Sequence, residues 1–206
     1  MALVKIHKNI NYEYQLWKID TDLTSSEEAY NIFTEYHQNI RSYKNPNRVN
    51  QILNTRQIIK KMVHNNIELT QNRFGKPILK GSKKYISISN HKNMIAIMIA
   101  DFYCGIDLES FNRNLINIKH KFVNGIDFSS EEKNRFLTEV WCSKEVLYKI
   151  HGSPIINFKK HLFVEKNNEQ IIGRCEHDDI SFKAKLNLLN YDNTLLMFNT
   201  NYLELT

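Results

Sequence analysis

Residues 104–109 read CGIDLE, a stretch in which two acidic residues alternate with two apolar ones. This alternation is typical of a β-strand, because successive side chains of a strand point to opposite faces of its sheet. Asp107 and Glu109 would then share one face, while Ile106 and Leu108 would point to the core. Two adjacent carboxylates repel each other unless a cation or a proton lies between them. The pair therefore indicates either a cation site or two ordinary surface acids at the end of a strand.

Residues 141–149 read WCSKEVLYK and have the spacing of a helix. Trp141, Glu145 and Lys149 follow one another at intervals of four residues, so they lie along one helical face. On its own this face could be an exposed ion pair beside a core tryptophan. Together with Lys144 and the acidic strand, it favours a site in which carboxylates hold a divalent cation and lysines neutralise phosphate groups.

The remaining pattern predicts helices and short strands along the whole chain of 206 residues, of which 42% are hydrophobic. Predicted helices begin at 25–28, with an apolar stripe that continues to Tyr36, lie between Asn47 and Asn65, and run from about 130 to 150. The third would open with a capping box of Ser129 and Glu132 and end at Gly152. Predicted strands are 85–89, 94–100, 105–109, 161–164, 170–175, 180–186 and 194–200, with a turn at 90–93. The last three strands can form an antiparallel meander.

These elements predict an α+β fold of two halves, residues 1–100 and 101–206, each with helices and a small antiparallel sheet. The three cysteines, Cys104, Cys142 and Cys175, are odd in number and widely spaced, so we expect buried free thiols. The longest apolar run, residues 94–100, is too short for a membrane span, and the N-terminus lacks the zones of a signal peptide. We expect a cytoplasmic protein without a membrane partner.

The formal net charge of +6 suits an anionic partner, which could be nucleic acid, a phosphorylated cofactor or an acidic protein. A lysine-rich surface could equally serve solubility alone. No run of five like charges occurs, so a nucleic-acid-binding tail is not indicated.

Residues 73–77 read RFGKP and predict a tight turn. Gly75 permits the turn, and Pro77 makes its exit rigid. Lys76 could meet an anion there, although the same sequence could be a purely structural turn. The glycine and hydroxyl residues of a Walker loop are missing.

Four segments, taken in order, resemble the motif series of the 4′-phosphopantetheinyl transferases of the surfactin-synthetase-activating type. They are GKP at 75–77, ISISNH at 86–91, GIDLE at 105–109 and WCSKEVLYK at 141–149. The specific signal is GIDLE followed some thirty residues later by WxxKExxxK. The helix QILNTRQIIKK, residues 51–61, is similar to an arginine-bearing helix of that family, and the resemblance covers most of the chain.

The resemblance implies an enzyme that moves phosphopantetheine from coenzyme A to a serine of an acyl, polyketide or peptidyl carrier protein and releases 3′,5′-ADP. It also implies two similar α+β halves around a pseudo-twofold axis, with coenzyme A between them. The first half would bind the nucleotide side, and the second would carry the metal-binding strand and the catalytic helix. The metal would be Mg²⁺, with Mn²⁺ as the alternative, and a chain with two such halves is expected to be a monomer.

The resemblance further implies a role for each matching residue. Asp107, Glu109 and Glu145 would hold the metal ion against the pyrophosphate. Glu145, or a metal-bound water, would take the proton of the carrier serine, and Lys149 would stabilise or protonate the departing phosphate. Coenzyme A would contact Arg48, Arg56, Lys76, Pro77, Ser89, Asn90, His91, Asp107, Lys144 and Lys149.

One segment departs from the family pattern. The family has Ser-His after the strand, whereas this chain has Ser89-Asn90-His91. Asn90 can donate a hydrogen bond but carries no charge, and His91 is shifted by one residue. His91 could compensate, the affinity or selectivity for coenzyme A could differ, or Asn90 could be a plain turn residue.

Segment 111–127 mixes basic and apolar residues, which suits either the docking of an acidic carrier-protein helix or an ordinary surface helix. The leading interpretation of the chain is a magnesium-dependent transferase. The second is a coenzyme A-binding homologue that has lost activity, which Asn90 supports. A nucleic-acid-binding domain ranks last, because the lysines are dispersed.

Overall fold

The computed structural model describes residues 1–64, 66–124, 133–167 and 170–205, and of Lys133 it describes the backbone alone. The chain divides into two compact units, Met1–Asp101 and Phe102–Thr206. Each unit combines antiparallel strands with helices, so the chain has the expected α+β class. The pseudo-twofold relation between the halves stays a prediction.

The first unit is built on a four-stranded antiparallel sheet with the order β1-β2-β6-β5. Its strands are β1 (Ala2–Lys8), β2 (Tyr12–Lys18), β3 (Glu68–Gln71), β4 (Pro77–Lys80), β5 (Tyr85–His91) and β6 (Met94–Ala100), of which β3 and β4 form a separate hairpin. Helix α2 (Pro46–Met62) begins at Asn45, whose side chain accepts the N–H groups of Asn47 and Arg48. The apolar side chains of α2 and β6 belong to one core cluster, which holds this helix on the sheet.

Two predictions for the first unit are wrong. Helix α1 (Glu27–Tyr30) starts after the Ser26 cap as expected but lasts one turn, because Phe33 and His37 take positive φ values of 50° and 56°. The predicted stripe to Tyr36 therefore does not lie on a helix. Strand β5 also extends through Asn90, and the turn lies at residues 92–93 rather than 90–93.

The second unit is a six-stranded antiparallel sheet covered by one long helix. Its elements are β7 (Ile106–Ser110), α3 (Lys133–His151), β8 (Leu162–Asn167), β9 (Gln170–Cys175), β10 (Ser181–Tyr191), β11 (Thr194–Asn199) and β12 (Leu203–Leu205). The order is β7-β11-β10-β9-β8, with β12 paired to β10, and the predicted meander β9–β11 is confirmed. Buried residues of α3, among them Val146 and Leu147, share a core cluster with Leu195 and Met197 of β11.

Helix α3 ends as the sequence predicted. Gly152 takes a φ of +77°, and its N–H donates to the carbonyl of Tyr148 at 2.8 Å. The predicted capping box, Ser129 with Glu132, lies outside the described residues. The three cysteines are buried thiols, as expected. No helix in the described part of the chain is long and apolar enough to cross a membrane.

Candidate functional site

Strand β7 carries the two carboxylates on the side of the sheet that α3 covers. Asp107 lies opposite Met197 and Glu109 lies opposite Leu195, and cross-strand partners share a face. Both β11 residues belong to the core cluster under α3. The carboxylates are therefore inside the protein, with exposed fractions of 6% for Asp107 and 4% for Glu109. The reading of this pair as ordinary surface acids is wrong.

Gly105 lets the start of β7 approach the helix. A Cβ atom at this position would lie 2.3 Å from the carbonyl oxygen of Val146, a backbone atom of α3 that cannot move aside easily. Only glycine fits such a close approach without displacing an element. The glycine that opens the GIDLE motif therefore brings the acidic strand against the helix that bears Glu145 and Lys149.

Each buried carboxylate of β7 has a basic partner. Lys149 donates from its Nζ atom to Asp107 Oδ1 at 2.7 Å and to the carbonyl of Ile106 at 2.8 Å. Arg113 donates to Glu109, which also accepts the backbone N–H of Ser110 at 3.0 Å. Charge-assisted hydrogen bonds of this kind offset part of the cost of burying the carboxylates.

Arg113 also contacts the tryptophan of the WCSKEVLYK segment. Its guanidinium carbon lies 4.8 Å from the centre of the Trp141 ring, a cation–π contact. Trp141 in turn packs edge-on against Phe122, with ring centres 5.2 Å apart, and against Phe158 at 5.4 Å. The Trp141 side chain is thus half-buried and contacts both aromatic core residues and Arg113.

Glu145 lies within electrostatic reach of both carboxylates of β7. Its pKa is raised to about 7, first by burial and next by the charge of Asp107. Lys149 and Arg113 lower this pKa, and Glu109 raises it. The structure thus brings together the three predicted metal ligands and Lys149, although Glu145 follows Asp107 by more than thirty residues in the sequence.

Cys142 is a neighbour of the cluster that sequence reasoning missed. Its thiol donates a hydrogen bond to Asp107, and its pKa is raised well above the usual value, mainly by burial. Arg113 was also missed, since it was read as part of a basic surface segment. No sequence signal marked Cys142, because its contact with Asp107 depends on the packing of α3 against β7. For Arg113 the available signal was its spacing of four residues from Glu109.

The donor set fits a hard divalent cation in type and in charge. Carboxylate oxygens are the ligands that Mg²⁺ prefers, and burial together with the charge of Asp107 raises the pKa of Glu145. Within the described residues, however, no three His, Cys, Asp or Glu side chains are arranged to hold a metal ion. The carboxylates of Asp107 and Glu109 are instead paired with Lys149 and Arg113. Metal binding at this cluster stays a prediction.

Lys144 has a different environment from the one predicted for a phosphate ligand. It is 2% exposed, and its Nζ donates to Asn124 Oδ1 at 3.1 Å and to the carbonyl of Phe158 at 2.8 Å. Burial, with a smaller effect of Lys159, lowers its pKa to about 8. In this structure Lys144 therefore fastens two connecting segments to α3.

The predicted arginines of α2 differ in their surroundings. Arg56 is 1% exposed and donates to the backbone carbonyls of Tyr30, Tyr36 and His37. Its guanidinium would have to leave these carbonyls to reach a nucleotide. Arg48 is half-buried in the first turn of the helix, where its charge acts on His37. Nucleotide binding by either residue stays a prediction.

Ser89-Asn90-His91, the segment that departs from the family pattern, has side chains on both faces of β5. Asn90 accepts a hydrogen bond at its Oδ1 atom from Thr55 of α2 at 3.3 Å, so its side chain faces that helix. Ser89, which is 6% exposed, and His91 point to the opposite face, because side chains alternate along a strand. The interpretation of Asn90 as a turn residue is wrong, and the shift of histidine by one residue moves it to the other side of the sheet.

The turn with the GKP sequence joins β3 to β4. Gly75 takes a φ of +82°, and Asn72 Oδ1 accepts the N–H groups of Phe74 and Lys76 at 2.9 and 3.0 Å. Pro77 opens β4. The tight turn is confirmed, whereas anion binding by Lys76 stays a prediction.

The basic segment after β7 is described as far as residue 124. It contains a 3₁₀ helix, Ile116–Lys121, flanked by the buried side chains of Leu115 and Phe122. Lys119, His120 and Lys121 are exposed. Both readings of this segment, a docking surface and an ordinary surface helix, stay open.

No protein-family model matches this chain, and no curated protein matches it.

Proposed function

We propose that this protein transfers the 4′-phosphopantetheine group from coenzyme A to a serine of a carrier protein and releases 3′,5′-ADP. One observation carries the proposal. Asp107, Glu109, Glu145 and Lys149, four of the five charged residues of the most specific motif pair, lie in one cluster where β7 meets α3. Three carboxylates and a lysine in one partly buried site suit a metal-dependent reaction of a phosphoanhydride.

The reaction requires one bond to form and one to break. The serine oxygen bonds to the phosphorus of the phosphopantetheine group, and the bond from that phosphorus to the oxygen of 3′,5′-ADP breaks. Magnesium, when bound by Asp107, Glu109 and Glu145, supplies charge neutralisation at the pyrophosphate. Lys149 lies beside these carboxylates and is the residue we assign to the departing phosphate.

Glu145 is the candidate acceptor of the serine proton. Among the described residues it is the one member of the carboxylate trio without an ion pair, since Asp107 is paired with Lys149 and Glu109 with Arg113. Its carboxylate is therefore the least engaged of the three and can approach an incoming hydroxyl.

A coenzyme A-binding homologue without transferase activity is the second candidate function. Three residues assigned to coenzyme A use their polar groups within the fold. Arg56 donates to backbone carbonyls, Lys144 donates to Asn124 and Phe158, and Asn90 accepts from Thr55. Such a chain would keep the carboxylate cluster but bind the cofactor too weakly or in the wrong position for transfer.

Mass spectrometry of apo carrier proteins, incubated with this protein, coenzyme A and Mg²⁺, separates the two functions. A transferase adds the mass of one phosphopantetheine group to the carrier, and Glu145→Gln abolishes the addition. Glu139→Gln is the matched control, because Glu139 lies on the same helix but pairs with Lys166 at 2.9 Å. Coenzyme A binding without modification of acyl, polyketide or peptidyl carriers would favour the second candidate.

A further inference from the structure

The two ion pairs of the carboxylate cluster have a common asymmetry. The side chains of Asp107 and Glu109 are 9% and 5% exposed, whereas those of Lys149 and Arg113 are 24% and 42% exposed. The acids are buried, whereas the basic side chains are partly exposed to water. An ion pair with a water-exposed cation contributes little to stability, so the cation can be displaced while the acid keeps its position.

The charges of the cluster are balanced for an exchange. Three carboxylates, Asp107, Glu109 and Glu145, face two cationic side chains, so replacing Arg113 by a divalent ion would bring the formal charge of these groups from −1 to zero. A metal ion bound to Glu109 would repel the adjacent guanidinium of Arg113 and compete with it for the same oxygens. Metal and guanidinium therefore exclude each other at Glu109.

We propose that Arg113 is a positioning residue of this site, which holds Glu109 while no metal is bound and is displaced from it when a divalent cation enters. This inference rests on the proposed function, because it takes the metal site as given. It explains why the carboxylates, although clustered, are not arranged as ligands in the structure. It also gives Arg113 a role that its place in a basic surface segment did not suggest.

Trp141 provides a direct signal for this displacement. The guanidinium of Arg113 lies 4.8 Å from its ring centre, so the release of Arg113 changes the surroundings of the indole. The chain has two tryptophans, Trp17 and Trp141. A Trp17→Phe background therefore leaves a single fluorophore beside the cluster.

The test is a titration of the full chain with Mg²⁺, followed by calorimetry and, in the Trp17→Phe background, by Trp141 fluorescence. Arg113→Gln is expected to bind Mg²⁺ about five- to tenfold more tightly, because the ion no longer competes with a charged partner of Glu109. The fluorescence change on Mg²⁺ addition is expected to disappear in this variant. Arg113→Lys, which keeps the charge but lacks the planar fork, is expected to be intermediate.

Arg135→Gln is the matched control. Arg135 also pairs with a glutamate four residues away, Glu139 at 3.8 Å, and also lies over an aromatic ring, Phe111 at 5.0 Å. This variant is expected to bind Mg²⁺ as the wild type does. Melting temperatures add a second readout, since the rise on Mg²⁺ addition should be larger in Arg113→Gln than in the wild type.

The outcomes separate this inference from the function on which it rests. If the wild type binds Mg²⁺ and Arg113→Gln binds it equally or more weakly, the exchange is overturned and the proposed function stands. If the wild type and all variants bind no Mg²⁺, the metal site of the proposed function fails together with the exchange. If Arg113→Gln does not fold, an affinity of Arg113→Lys equal to that of the wild type overturns the exchange.

Discussion

Arg56 shows how a charged residue can be required by the fold itself. The segment after α1 leaves the helical conformation, so its carbonyl groups lack the partners that a helix would supply. The guanidinium of Arg56 donates to the carbonyls of Tyr30 and Tyr36 and takes the place of those partners. It also donates to the carbonyl of His37, which accepts the N–H of Ile40 as well. Its five fixed donors suit this task better than a lysine would.

Replacement of Arg56 should therefore affect stability before it affects ligand binding. Arg56→Met is expected to lower the free energy of unfolding by about 2–4 kcal/mol, since it removes the guanidinium donor from the carbonyls of Tyr30 and Tyr36. Urea denaturation measures this loss. Arg48→Met, on the more exposed first turn of the same helix, should cost less than ~1 kcal/mol. Equal losses in the two variants would contradict the structural role of Arg56.

Protonation of His37 makes the free energy of unfolding depend on pH. Its pKa is lowered to about 4, first by burial and then by the charges of Arg48 and Arg56. The folded protein thus binds this proton less readily than the unfolded chain, whose histidine titrates near ~6.5. The contribution of His37 to stability is complete above about pH 6.5 and is lost as the pH falls toward 4.

A His37→Asn variant should flatten this dependence. Asparagine tolerates the positive φ of 56° at this position and does not titrate. The free energy of unfolding, measured by urea denaturation at pH 7.5 and at pH 5, is expected to fall less in the variant than in the wild type. An identical fall in both proteins would show that other groups produce the pH dependence.

At the scale of an element, the alternation of β5 decides which residue can meet a ligand on each face. Asn90 faces α2 through Thr55, and His91 lies on the other face with Ser89. If coenzyme A is bound on the face of Ser89 and His91 rather than at the family position that Asn90 occupies, His91→Ala is expected to weaken its binding about tenfold. Asn90→Ala should then leave the affinity unchanged and lower stability by about 1 kcal/mol. Calorimetric titration with coenzyme A checks this, and a larger loss of affinity in Asn90→Ala would refute the assignment.

The close packing of β7 against α3 depends on the glycine at position 105. Gly105→Ala places a methyl group 2.3 Å from a backbone oxygen of Val146, so we expect a loss of about 3 kcal/mol in stability and a weaker Asp107–Lys149 pair. Gly173→Ala is a fair comparison, since its methyl group would meet the flexible end of Leu147 at 2.7 Å. This variant should cost about 1 kcal/mol or less. Thermal unfolding that ranks the two variants in the opposite order would contradict this account.

For the whole molecule, the residues of the candidate site are divided between the two units. The carboxylate cluster, Lys149 and Arg113 lie entirely within the second unit. The GKP turn, the β5 segment and the arginines of α2 lie in the first. The resemblance therefore predicts that substitutions in either unit reduce transferase activity.

The strands could be predicted where their apolar pattern was strong. Strand β9 was placed at its observed bounds, and the bounds of β6 were also correct, because both are defined by buried apolar residues. Strands β1 and β2 were missed. Strand β1 is exposed at nearly every position, so its sequence lacks the alternation of apolar and polar residues that marks a half-buried strand. It is a strand because it pairs with β2 in the folded protein.

The sequence by itself determined the α+β class, the meander of β9–β11, the end of α3 at Gly152 and the residue types of the candidate site. These follow from local spacing and from turn chemistry, which a short segment contains in full. Only the tertiary structure decided that Asp107 is held by Lys149, that Asn90 faces α2 and that Arg56 and Lys144 donate to backbone carbonyls. Partners of this kind are chosen by the packing of distant elements, because a buried polar group takes whichever donor or acceptor the fold brings within reach.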